Sequence, residues 1–259
     1  MTTINSLSNP KIKEIVRLSK AHERRTNGLF IIDGQREIEL AKEAGWEIQE
    51  IFYCPALVKK TGEKIISSKT ILTEVSTPVF HKICYKEHPD GFLALAKQRQ
   101  LALSSLKLST KPLVVILESV EKPGNLGAII RTAVAAGVEA IIINDNQTDL
   151  FNFNVIRASE GLIFQQPIIQ ASFAETQIWL KTNNIKTLAS ATTGKKIYHR
   201  VKMTGPTALV FGSEAKGLSQ TWLETATELI KIPMKRSVDS LNVSVSAAIL
   251  IYEALRQRE

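Results

Sequence analysis

The chain has 259 residues and 28.7 kDa, 44% of them hydrophobic, enough to build a sizeable core and to suit two domains rather than a disordered polypeptide. A net charge of +8 and a pI near 9.4 favour a polyanionic partner without proving one. Two cysteines, Cys54 and Cys84, exclude a disulfide framework, and neither has neighbours spaced for metal binding, so no metal is expected. No apolar run approaches the roughly 20 residues that cross a bilayer, and Met1-Thr-Thr-Ile-Asn-Ser lacks a basic start followed by an apolar core. A cytoplasmic chain without membrane association is therefore expected.

In the first 25 residues Lys11, Lys13, Arg17, Lys20, Arg24 and Arg25 interleave with Ile12, Ile15, Val16 and Leu18, which predicts an amphipathic basic helix. Such a face is either merely solvated or binds an anion. The apolar side lacks Trp and Phe anchors, so RNA is the better polyanion and a membrane surface the poorer one, with Arg24 and Arg25 as contacts. A strand over 28–32, a helix over 36–44, a strand over 48–53, short elements and a strand over 92–96 complete a small α/β unit of residues 1–98. Arg36, opening its helix after Gly34, either grips RNA phosphate or pairs with Glu39 or Glu43. From about Gln98 to Lys111 the composition turns to Ala, Leu, Ser, Lys and Thr, which marks residues 99–111 as a linker and 112–259 as a second domain.

The second domain opens on a strand over 113–118 that runs into Lys122-Pro-Gly-Asn125-Leu-Gly127 and a helix ending near Gly137. Asn125, Ala128 and Arg131 or Thr132 share roughly one face, so an Asn and an Arg are expected at the carboxyl edge of a sheet, where open α/β folds bind ligands. Arg157, in Arg157-Ala-Ser-Glu-Gly161 at the head of a further helix, is either RNA-facing or a simple surface charge. A strand over 207–211 is ended by Gly212, another over 228–234 is stopped by Pro233, and Ser240 is a candidate N-cap for a helix reaching Arg256. Each segment alone is ordinary. Asn242, Ser244 and Ser246, however, crowd the start of an apolar helix where Ala or Leu would pack better, and together they point to a ligand.

Competing nucleotide motifs fail on chemistry. The run from Gly212 to Ser219 has a P-loop outline, but Leu218 stands where the phosphate-binding Lys is required and Glu214 would repel phosphate; no Gly-x-Gly-x-x-Gly follows a strand. His22, His81, His88 and His199 show no paired spacing with Cys or carboxylates and read as structural or RNA-facing.

Asn125-x-Gly127-x-x-x-Arg131, Phe211-Gly-Ser-Glu214-x-x-Gly217-Leu218 and Ile232-Pro-Met234 through Ser240-Leu-Asn-Val-Ser-Val-Ser246 resemble, in order and spacing, the three motifs of the SpoU/TrmH family of RNA ribose 2′-O-methyltransferases. The resemblance covers about residues 111–259. It implies a carboxy-terminal parallel-sheet α/β/α domain tied in a deep trefoil knot, S-adenosylmethionine as cofactor, and a homodimer formed through the catalytic domain. Ser6 to Lys13, Gly28 to Arg36 and His88-Pro-Asp-Gly91 resemble, more loosely, the amino-terminal α/β RNA-binding domain of the rRNA-modifying branch. One position departs from the family: Arg236 stands where a small residue usually follows Ile-Pro-Met.

Carried over by resemblance, Arg131 lies beside the target ribose and phosphate, Asn125 positions it, and Glu214, Ser240 and Asn242 complete the polar network. Phe211, Gly212, Ser213, Ile232, Met234 and Leu241 hold the cofactor. An activated sulfonium methyl asks the protein mainly to align the reacting atoms and to help remove the hydroxyl proton. An Arg that stays protonated is a poor base, so positioning is its clearer role. The expected activity is ribose 2′-O-methylation, with 23S rRNA as substrate; a tRNA ribose methyltransferase and a non-catalytic RNA-binding scaffold are the alternatives. The nucleotide modified cannot be read from these residues.

Overall fold

The computed structural model describes residues 3–58, 65, 70–235 and 237–259, and Arg236 lies outside them. Contacts divide the chain into two compact units. The first joins residues up to Arg99 with Asp149–Gln165, and the second joins Gln100–Thr148 with Gln166–Glu259. The sequence suggests residues 1–98 and 112–259 joined by a linker over 99–111; in the structure Gln100 onward belongs to the second unit, with Leu101, Leu103, Leu106 and Leu108 against its core, and Asp149–Gln165 packs as part of the first unit.

In the first unit, helix α1 (Pro10–Arg17) is capped by Asn9, whose Oδ1 accepts from the Lys11 amide at 2.9 Å, and Pro10 occupies its first turn. Ile12 and Ile15, followed by Leu18, recur at helical spacing and are buried. The expected single basic helix is in fact two. The chain leaves helical hydrogen bonding after α1 and begins α2 (Ala21–Asn27), which ends at Gly28 in the left-handed region (φ +64°) that glycine tolerates.

The sheet of this unit takes the order β1-β4-β2-β3. Strand β1 (Leu29–Asp33) and strand β2 (Ile48–Tyr53) run antiparallel to β4 (Phe92–Lys97), while β3 (Ile71–Glu74) runs parallel to β2. Alternate residues face opposite layers. Ile31, Phe52 and Leu93 face the core of α1 and α4 (Thr77–Ile83), with Val79 and Phe80. Phe30 points the other way, into an aromatic group with Trp46, Phe151 and Phe164, at 4.6 Å from Phe151. Helix α3 (Gln35–Glu43) packs on β1 and β4. The short helix α6 (Phe153–Ala158) packs on β1 and adds a stacked pair, Phe153 on Tyr85 at 4.3 Å.

The second unit is built on seven parallel strands in the order β7-β6-β5-β10-β8-β11-β9. These are β5 (Leu113–Glu118), β6 (Ala140–Asn144), β7 (Ile168–Gln170), β8 (Lys186–Ser190), β9 (Lys196–Ile197), β10 (Thr207–Phe211) and β11 (Glu228–Lys231). The middle strands are near-continuous apolar runs, as strands covered on both faces must be. Val114, Ile116, Ala208 and Val210 face Leu180 of α7 (Phe173–Thr182) and Trp222 of α8 (Gln220–Thr225). Helix α9 (Val243–Arg258) packs on β10 and on α5 (Pro123–Ala135). The chain steps outward from β5 to β7, starts again at β8 beyond the centre, and returns to insert β10 between β5 and β8. That reversal is a topological switch, and it collects the loops after β5, β8, β10 and β11 at the carboxyl edge.

Candidate active site

Four strand ends open into a cavity of about 550 Å3 at that edge. Phe211 ends β10 and Gly212, Ser213 and Glu214 follow it; Ile232 and Met234 follow β11; Ser240, Leu241 and Asn242 lead into α9. All of them line the cavity, so the residues expected to hold a cofactor come together. Its size lies in the range of small-molecule and cofactor sites.

Close backbone approach shapes the loop after β10. A Cβ on Gly212 would lie 2.2 Å from the Gly217 carbonyl carbon, a clash with main chain that cannot move aside. Two hydrogen bonds close the turn, Ser213 N to Gly217 O and Gly217 N to Ser213 O, each 3.0 Å, and Gly217 has φ +69°. The Ser213 hydroxyl accepts from the Lys216 amide at 3.1 Å, which leaves Glu214 projecting from a rigid frame.

Beside the cavity runs a polar relay. Asn242 caps α9: its Oδ1 accepts from the Ser244 amide at 2.8 Å and the Ser244 hydroxyl at 2.7 Å. With Oδ1 turned to the helix, the Asn242 amide nitrogen points outward and donates to Asn125 Oδ1 at 3.1 Å. Asn125 in turn donates to Glu214 Oε1 at 2.6 Å. Glu214 also accepts from the amides of Glu121 and Lys122 at 3.2 and 3.4 Å. Partial burial pushes its carboxyl up, but the hydrogen bonds from Asn125 and from the amides of Glu214, Glu121 and Lys122 outweigh this and hold it below the usual Glu value. Three motifs far apart in sequence are thus joined by one chain of oriented hydrogen bonds.

Several expected details differ. The helix cap is Asn242 in place of Ser240, and Ser240 lines the cavity without joining the relay. Arg131 is exposed on α5 outside the cavity lining, for six residues of α-helix carry it about 120° around the axis from Asn125; Thr132 keeps the face of Asn125. Arg157 lies in the last turn of α6 and is exposed, not at the head of a helix. Arg36 is exposed and pairs with Glu160 at 3.3 Å, neither Glu39 nor Glu43. Arg25 is exposed, but Arg24 is 3% exposed: its guanidinium holds Asp149 at 2.6 and 2.8 Å and the carbonyls of Leu18 and Ser19 at 2.7 and 2.8 Å. Arg24 is therefore a buried structural cation, held by four hydrogen bonds within its own unit. Sequence reasoning missed Ser190–Thr193 and Lys216 as cavity residues. Ser190 ends β8 and residues 191–193 follow it, but that strand, Lys186-Thr-Leu-Ala-Ser190, has no apolar run to mark it in the sequence.

Comparison with known proteins agrees with this architecture. The SpoU rRNA Methylase family model matches residues 112–252, and an MRM3-like substrate binding domain matches residues 9–94. The chain belongs to the SpoU rRNA methylase family. A 23S rRNA (guanosine(2553)-2′-O)-methyltransferase of Bacillus subtilis, RlmP, is 30% identical over an alignment of 260 residues that covers 97% of this chain and 98% of that protein. Among solved structures, an RNA 2′-O ribose methyltransferase superposes with a TM-score of 0.87 at 38% identity, over 99% of both chains. An AdoMet-bound rRNA methyltransferase from Sinorhizobium meliloti gives 0.90 at 29% identity, over 98% of this chain and 97% of that one.

Within this family the cavity chemistry fits S-adenosylmethionine. Leu218, Leu223, Ile232, Met234 and Leu241 offer apolar walls for a flat base, while Glu214 and Asp239 bring carboxylates that suit a sulfonium cation. Thr192, Thr193 and Ser240 add hydroxyls for polar groups.

Proposed function

We propose that the protein is an S-adenosylmethionine-dependent methyltransferase acting on ribose 2′-hydroxyls of 23S rRNA. The observation that carries this reading is the relay from Asn242 through Asn125 to Glu214 along a cavity at the switch point of a parallel sheet. The cofactor supplies an activated methyl carbon. The cavity loops after β10 and β11 and before α9 hold it, so that the incoming ribose oxygen needs only alignment and loss of its proton. Glu214, kept ionised by its donors, fixes Asn125 and the loop that opens α5. Arg131, exposed on that same helix, is assigned to the ribose and its phosphate. Arg25, Arg36 and Arg157, all exposed, are assigned to the RNA backbone.

The active species in this reading is a cytoplasmic homodimer formed through the second unit. Exposed Val245 and Tyr252, seven residues apart on α9 with Ile249 between them, form an apolar stripe that supports a second copy as its cover. The trefoil knot belongs to the same reading, and the insertion of β10 between β5 and β8 and the return of α9 onto α5 favour it.

The test is methyl transfer from labelled S-adenosylmethionine to purified, unmodified 23S rRNA and to tRNA, with modified riboses mapped by mass spectrometry. A single 2′-O-methyl on 23S rRNA is expected. Methylation of tRNA alone would transfer the reading to the tRNA branch, and no transfer to either would favour the non-catalytic scaffold.

A further inference from the structure

Leaving the cavity, the chain runs through Lys195-Lys-Ile-Tyr-His-Arg-Val-Lys202, four Lys and Arg residues with no acid among them. Lys195, Lys196, His199, Arg200 and Lys202 are exposed. Lys196 pairs with Glu228 at 2.9 Å; among the described residues Lys195, Arg200 and Lys202 enter no ion pair.

The backbone beneath these cations is anchored along its length. The Ala191 amide donates to Ile230 O at 3.0 Å, and Gly194 lies so close to Ile230 that a Cβ there would stand 2.6 Å from its carbonyl carbon. Strand β9 then pairs with β11, and the Lys186 ammonium donates to the carbonyl of Lys202. Gln257 closes the far end: its amide nitrogen donates to Val201 O at 3.1 Å and its oxygen accepts from the Met203 amide at 2.8 Å. Val201 and Met203 are buried at 4% and 0% exposure. The path is fixed while the charged heads stay in water, an arrangement that saves ordering cost when a polyanion arrives.

Cations on an edge strand can serve only to discourage edge-to-edge pairing. That account covers Lys196. Lys195 precedes β9, and Arg200 and Lys202 follow it, so these three lie off the paired edge.

We propose that residues 195–202 form a strap that binds the phosphodiester backbone of the substrate RNA beside the cavity, whose wall Ser190–Thr193 continues directly into it. The identity of the polyanion rests on the methyltransferase reading. The strap is tested in the full chain with the triple variant Lys195→Gln, Arg200→Gln, Lys202→Gln, measuring filter binding of a 23S rRNA transcript across a salt series. Released counterions make log affinity fall with log salt by roughly 0.7 to 0.9 per phosphate contact, so the slope should shrink by about 2 to 3 and affinity at moderate salt should drop about tenfold or more. Calorimetric affinity for S-adenosylmethionine should stay within about twofold, which also verifies folding. The charge-preserving triple Lys195→Arg, Arg200→Lys, Lys202→Arg should keep the wild-type slope. An unchanged slope in the Gln triple, an equal loss in both triples, or salt-insensitive binding by the wild type would each overturn the strap. Failure of the methyltransferase reading shows separately, as RNA binding by the wild type without methyl transfer.

Discussion

Arg24 and Arg25 are adjacent and chemically identical, yet the fold gives them opposite duties. Arg25 is exposed, whereas Arg24 is buried against Asp149 and the two carbonyls where α1 gives way to α2. Breaking one side of a buried charge pair strands the other, at a cost of about 3 to 5 kcal/mol; Asp149 retains 18% exposure, which places Arg24→Ala near the lower figure. Arg25→Ala should remain within about 0.5 kcal/mol of the wild type. Urea denaturation of the two variants is the measurement. Equal midpoints would contradict the structural role of Arg24. Residue type alone could not separate the pair, because burial depends on where Asp149 arrives from 125 positions away.

At the scale of elements, the relay joins the start of α5, the turn after β10 and the cap of α9, and its pH behaviour follows from Glu214. The fold lowers the carboxyl pKa of Glu214 from its usual 4.5, so it favours the ionised form. The stabilisation of these loops is therefore fully present above the ordinary Glu value and is lost as pH falls through the depressed folded value. Affinity for S-adenosylmethionine, read by calorimetry, should be level from neutral pH down to the ordinary carboxylate range and weaken below it. Glu214→Ala, which leaves Asn125 and two amides without their acceptor, should weaken binding about tenfold or more at neutral pH. Glu214→Gln keeps an acceptor for Asn125 and should flatten the acid limb. An acid limb that persists unchanged in Glu214→Gln would assign it to another group.

For the whole molecule, the decisive feature is that a segment within the family-matched stretch 112–252 belongs by its contacts to the first unit. Asp149 anchors it through Arg24, Phe151 and Phe164 join Phe30 and Trp46, and the Trp46 indole donates to the Phe164 carbonyl at 3.0 Å. A fragment of residues 100–259 would carry Phe151, Phe153 and Phe164 without those partners, exposing aromatic surface that invites association. It should melt below the full chain and run as aggregates on gel filtration. A monodisperse fragment with the full chain's melting temperature would show that the segment does not depend on the first unit.

Read alone, the sequence determined the α/β class, the strands over 113–118 and 207–211, the family and the loops that carry the cavity, because apolar runs, Gly and Pro stops and motif spacing are local signals. By resemblance it placed Asn125, Arg131, Glu214, Ser240 and Asn242 in one network, and hydrogen bonds join Asn125, Glu214 and Asn242. Tertiary structure alone decided that Asn242 rather than Ser240 caps α9, that Arg24 is buried, and that Asp149–Gln165 packs with the first unit, whereas the angle of about 120° between Asn125 and Arg131 follows from helix geometry itself. The reason is common to the three. Charge, polarity and turn chemistry are written residue by residue, but burial and the direction a side chain faces depend on which distant segment packs against it, and only long-range packing supplies that partner.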